Sequence, residues 1–171
     1  MTWIDFVGFW KWVELTDNLP RITDTSEVLR RQVVDSWMAG DKPMSVAFRP
    51  TPKDKRNLST DRGRISPENS FDGYHKRTGT KPHSTWPVPV EDVLKSSSCL
   101  EEKVQITGAL EVVDDGGTDE LHDGHASVRF SKDYGGESNS QIRKNDERLA
   151  KELKKAATRV GCLFSPKDLG A

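Results

Sequence analysis

The sequence predicts an α+β domain: a mainly antiparallel sheet with helices packed on one face and a long C-terminal helix. Three observations predict it. His125 to Phe130 (HASVRF) alternates, with Ala126, Val128 and Phe130 on one side and His125, Ser127 and Arg129 on the other, the period of a strand. Ser140 to Val160 carries Ile142, Leu149, Leu153, Ala156, Ala157 and Val160 as one apolar stripe, stopped by Gly161, the period of a helix. The segments do not follow the βα alternation of a doubly wound sheet, and the two strongest strand regions are close enough to be antiparallel neighbours.

In chain order, Asn18-Leu19-Pro20 reads as a turn. Asp24 and Glu27 then resemble a capping box, and Val28, Leu29, Val33 and Trp37 give a helical stripe up to Met38, stopped by Gly40. Ser45 to Phe48 is a predicted short strand. Arg49 to Gly63 is a polar loop, because Pro50 and Pro52 exclude helix. Ser66-Pro67-Glu68 opens a short helix to about Lys76, with an N-cap serine, a proline at the first position and Phe71 and Tyr74 turned inward. Gly79 to Pro82 is a turn. Ser84 to Val90 is a strand that Pro87 and Pro89 confine to an edge or a bulge. Val104 to Val113 is a strand region bent at Gly108, and Asp114 to Gly124 an acidic loop.

A length of 171 residues fits one domain, residues 1–171, large enough for a real core. The balance of 33% hydrophobic to 31% charged residues is that of a globular chain. No apolar run approaches the ~18 residues of a membrane span. Asp5 precedes any basic residue, and a basic region followed by a small-residue cleavage site is lacking, so the expected location is the cytoplasm. Cys99 and Cys162 form neither a disulfide framework nor a zinc set and read as reduced thiols.

The net charge of −1 conceals segregation. Residues 49–83 hold nine Lys/Arg against four Asp/Glu, residues 91–123 two against ten, and residues 129–171 ten against six. Such blocks pair internally on folding or create faces of opposite sign. In residues 1–20, Trp3, Phe6, Phe9, Trp10 and Trp12 crowd a segment apolar on all sides, which needs more cover than a small domain gives a terminus. Exposed indoles and phenyl rings are interface anchors, so these five residues are the expected partner-binding set.

The segments RRQVVDSW (30–37), AFRPTPKDKRNLS (47–59), STWPVPVEDV (84–93) and HASVRFS (125–131) resemble a family of small bacterial proteins with an RQV…SW, AFRPTPKD…LS and HA pattern. The resemblance covers about residues 28–164 and implies a bacterial origin; it carries no activity and no catalytic residue.

Three constellations could carry chemistry. Arg49, Lys53, Arg62 and Arg64, with Tyr74, could hold a phosphate through charge-assisted hydrogen bonds, although GxxxxGK[ST] and GxGxxG are both absent. His122 and His125, beside Asp119 and Asp123, have metal-ligand chemistry. Leu121 breaks the calcium-loop pattern and a third ligand would be needed, so neither a metal centre nor a cofactor is expected. His125 with Ser59 forms a candidate catalytic pair, the imidazole acting as general base if the Arg49–Ser59 segment lies opposite it. No G-x-S-x-G or H-E-x-x-H signature accompanies them, and whether the chain is an enzyme stays open.

The leading expectation is an accessory protein of a bacterial system, with defence and toxin–antitoxin systems as contexts, docking to a larger protein or to itself through the aromatic N-terminus. The alternatives are an enzyme or sensor for a nucleotide-like or phosphorylated ligand, and a nucleic-acid binder using residues 49–83.

Overall fold

A computed structural model describes residues 18–50, 55–118 and 121–169. The described strands are β1 (Val28–Val33), β2 (Met38–Ala39), β3 (Lys42–Pro43), β4 (Asn57–Asp61), β5 (Ser84–Pro89), β6 (Leu110–Asp114) and β7 (His125–Phe130). The described α-helices are α1 (Pro67–Thr78), α2 (Val90–Val104) and α3 (Asn139–Val160). Five strands make one sheet in the order β5-β1-β4-β7-β6, every neighbouring pair antiparallel. The class is therefore α+β with an antiparallel sheet and a long C-terminal helix. Among the described residues no helix is long and apolar enough to cross a membrane.

Alternation along the strands gives the sheet two unlike faces. Leu29, Val33, Leu58, Val88, Leu110, Val112, Val128 and Phe130 meet Leu149, Leu153 and Ala157 of α3 and Val93 and Leu100 of α2 in one core. The opposite face carries Gln32, Ser59, Asp61, His125 and Ser127. Helix α1 caps the β5–β1 end of that polar face: Gln32 Nε2 donates to Ser70 Oγ at 2.6 Å, and the Thr85 hydroxyl donates to the carbonyl of Pro67 at 3.2 Å. Strand β5 is an edge, as its prolines require, and Phe164 bridges it at Thr85. Arg21 bridges the other edge at Val113.

Four segments differ from the sequence reading. Residues 28–33 form a strand rather than a helix: Leu29, Arg31 and Val33 alternate into the core, and the arginine hides the period. Ser45–Phe48 is a 3-10 turn rather than a strand, closed by Ala47 N–H on the Met44 carbonyl and Arg49 N–H on that of Val46. Inside the expected polar loop lies β4, where only Leu58 and Thr60 point to the core. Residues 90–104 are helical. Ser97 occupies a core position there, its hydroxyl donating to the Leu110 carbonyl and accepting from the Leu110 N–H, and this polar core residue interrupts the apolar stripe.

The start of β4 is fixed by a partly buried charge cluster. Arg56 donates from both terminal nitrogens to Asp146 of α3, at 3.0 and 2.6 Å, and from Nε to the Ser131 carbonyl at 2.7 Å. The Tyr134 hydroxyl, 1% exposed as a residue, donates to the same carboxylate at 2.6 Å. Burial first, then the anionic neighbour, pushes the Tyr134 phenol far up, so the hydroxyl stays a donor. Asp146→Ala leaves a guanidinium and a phenol without their acceptor and should cost about 3 kcal/mol in urea unfolding. Tyr134→Phe, which removes one hydrogen bond to a charged group, should cost about 2 kcal/mol.

Candidate functional site

Ser59 sits in the middle of β4, directly opposite Ser127 of β7, and His125 opens β7 opposite Asp61. Alternation puts all four side chains on the polar face, within the diagonal reach of cross-strand neighbours. The Ser59 hydroxyl lies 2.7 Å from His125 Nε2, and His125 Nδ1 lies 2.6 Å from Asp115 Oδ1. The second carboxylate oxygen of Asp115 accepts from the Ser127 hydroxyl at 2.6 Å. An ionised carboxylate only accepts, so in the neutral imidazole Nδ1 carries the ring proton and Nε2 presents its lone pair to the Ser59 hydroxyl. Each member of that arrangement has one hydrogen-bonding role: hydroxyl donor, imidazole acceptor and carboxylate anchor.

The relay is graded in exposure. Asp115 and His125 are each 6% exposed, whereas Ser59 is exposed to solvent. Asp115 leaves β6 by one residue and is turned back over the face by the loop to β7. That return is tight at Gly116, where a β-carbon would stand 2.8 Å from the Gly124 nitrogen and 2.9 Å from that of His125. Burial pushes the Asp115 carboxyl up, but hydrogen bonds from His125 and Ser127 outweigh it and hold the group below its ordinary value.

A second polar cluster adjoins the first. Asp61 accepts a short hydrogen bond from Ser70 of α1, and Ser70 accepts from Gln32. His122 Nε2 lies 2.8 Å from Asp61 Oδ1 without hydrogen-bond alignment, while its Nδ1 donates to the Asp123 carbonyl at 2.9 Å. The His122 ring stands edge-on to His125, centroids 5.6 Å apart.

The structure brings Ser59 and His125 together but not the expected phosphate set. Arg49 faces α3, 3.4 Å from Glu147, beside a cleft of about 210 Å³ lined by Ser45, Val46 and Lys151. Arg62 is clamped by both oxygens of Glu27, at 2.6 and 2.9 Å, and by Asp114. Arg64 pairs with Asp123 at 3.0 Å on the surface, and Tyr74 is half-buried on α1. Lys53 and the aromatic set Trp3, Phe6, Phe9, Trp10 and Trp12 lie outside the described residues. Among the described residues no group of three or more His, Cys, Asp and Glu side chains is placed to hold a metal ion.

Asp115 and Ser127 are members that sequence reasoning does not single out. The available signal is the hairpin itself: a residue just past one strand returns to the first residue of the next, and here that pair is Asp and His. No protein-family model, curated protein or solved structure matches the chain.

Asp115 gives the site a pH signature. Its native pKa lies below the unfolded value of ~3.9, so its contribution is fully present above that value and is lost as pH falls through the native one. Asp115→Asn should be less stable than the wild type by about 2 kcal/mol near neutrality. The gap should narrow below about pH 4 in urea titrations, and a gap constant across the acid range would contradict the assignment.

Proposed function

We propose that the chain is a hydrolase or acyl transferase that acts on an ester, thioester or amide, with Ser59 as nucleophile. The observation that carries the reading is the continuous line from Ser59 through His125 to Asp115 with the imidazole held in one tautomer. This is the nucleophile, base and orienter logic of covalent acyl transfer.

In that chemistry the Ser59 oxygen bonds to the substrate carbonyl carbon while its proton passes to His125 Nε2. Collapse of the tetrahedral intermediate breaks the bond to the leaving group, which takes the proton back from Nε2. Water, or a second acceptor, then repeats the two transfers and releases Ser59. Asp115 remains ionised and steadies the imidazolium through Nδ1. Asn57 and Arg129 face each other across the strands as the next side chains along this face, and are the donors in line to meet the developing oxyanion. Solvent-exposed Ser59 above a buried Asp–His pair supports the reading further, because the nucleophile is reachable while its base is held fixed.

The test is a fluorophosphonate probe followed by peptide mass spectrometry. The wild type should carry one adduct, on Ser59. Ser59→Ala should carry none, and His125→Gln should react at least about 100-fold more slowly while melting cooperatively. A wild type that takes no adduct, or a His125→Gln variant that labels at the wild-type rate, would overturn the proposal.

A further inference from the structure

Helix α3 turns one side to the core and the other to solvent, and the solvent side is cationic almost without interruption. After Ser140, six of its seven exposed residues are Lys or Arg, the seventh being Val160. Its outward carboxylates are already engaged: Glu147 lies 3.4 Å from Arg49 and 3.3 Å from Arg143, and Glu152 lies 2.7 Å from Lys155. Lys144, Arg148, Lys151 and Lys154 are left with no carboxylate within 4.0 Å among the described residues, and they line one continuous surface. Steps of four, three and three residues keep them along one side of the helix over about 15 Å of its axis.

We infer that this row of unpaired cations on α3 is an interface for the phosphate backbone of double-stranded nucleic acid. Three observations select that occupant. A protein partner needs an apolar or aromatic anchor, since lysine is depleted from interface cores. The only large hydrophobic side chain exposed among the described residues is Val160, at 50% and six positions past Lys154, so among those residues the row itself offers a protein no such anchor. A single strand would want aromatic platforms for its bases, and the row contains none. A flat anionic membrane would also draw in α2, which packs against α3 and exposes Glu91 and Glu102. A narrow row of positive charge beside a negative helix suits a linear polyanion. Binding would release counterions and read backbone rather than sequence. The row lies on the face of the sheet opposite Ser59 and does not depend on the acyl-transfer reading.

The test is fluorescence anisotropy with the full chain and a labelled duplex of about 20 base pairs, titrated from about 50 to 200 mM salt. Four phosphate contacts predict a slope of log K against log salt near −3.6, an affinity loss of about 100-fold across that range. The charge-neutral variant K144Q/R148Q/K151Q, altered only at exposed positions, should keep the wild-type melting temperature and flatten the slope by about 3. The proposal is overturned by absence of duplex binding at about 50 mM salt, or by a variant that binds like the wild type. Tighter binding to single strands, poly-glutamate or anionic vesicles than to the duplex would overturn it equally.

Discussion

The polar face of the sheet depends on how one arginine is housed. Arg31 is 6% exposed, on the core side of β1, with its guanidinium 5.3 Å from the centre of the Trp37 ring. Nε donates to the Ala47 carbonyl at 2.9 Å and Nη1 to the Ser59 carbonyl at 2.8 Å. Strands β1 and β4 are matched only at Arg30 and Asp61. Beyond that point a side chain takes over the pairing that a backbone would otherwise supply. The carbonyl of the proposed nucleophile is thereby satisfied, and the 3-10 turn at residues 45–48 is tied to the same group. Loss of the guanidinium would leave the buried Ala47 carbonyl and the part-buried Ser59 carbonyl short of a donor.

The same face shows how a sheet carries polar groups without unfolding. Its hydroxyls and carboxylates are arranged in two short chains, one from Ser59 to Asp115 and Ser127, the other from Thr85 through Gln32 and Ser70 to Asp61. Each bond offsets the desolvation of the next group along. The first chain ends at an exposed hydroxyl, the second beneath α1. Only the first therefore meets solvent at a hydroxyl, and this asymmetry is what sets the proposed site apart from the polar groups buried beneath α1.

What the sequence made legible follows from how well each element announces its period. In β7 every inward position is apolar, and in α3 the stripe is long, so both are readable to within a residue. In β1 the inward position between Leu29 and Val33 is Arg31, and in α2 the inward position between Val93 and Leu100 is Ser97. Both are buried polar residues that bond backbone carbonyls 13 or more positions away. Local pattern cannot reveal a core position satisfied by a distant carbonyl. Side-chain chemistry suggests pairing Ser59 with His125, and the structure brings the two to 2.7 Å, whereas Asp115 needs the hairpin geometry. Arg49, grouped with them by proximity in sequence, lies instead beside Glu147 of α3, the helix packed on the other face of the sheet.

The tight return at Gly116 has an evolutionary corollary. The acid of the relay and the residue after it cannot vary independently. Any side chain at Gly116 would press on the amide nitrogens of Gly124 and His125, rigid backbone with no rotamer to yield. On the proposed reading, lineages that retained Asp115 in the relay would hold a bare α-carbon beside it, and drift at that neighbour would mark copies that kept the fold without the relay.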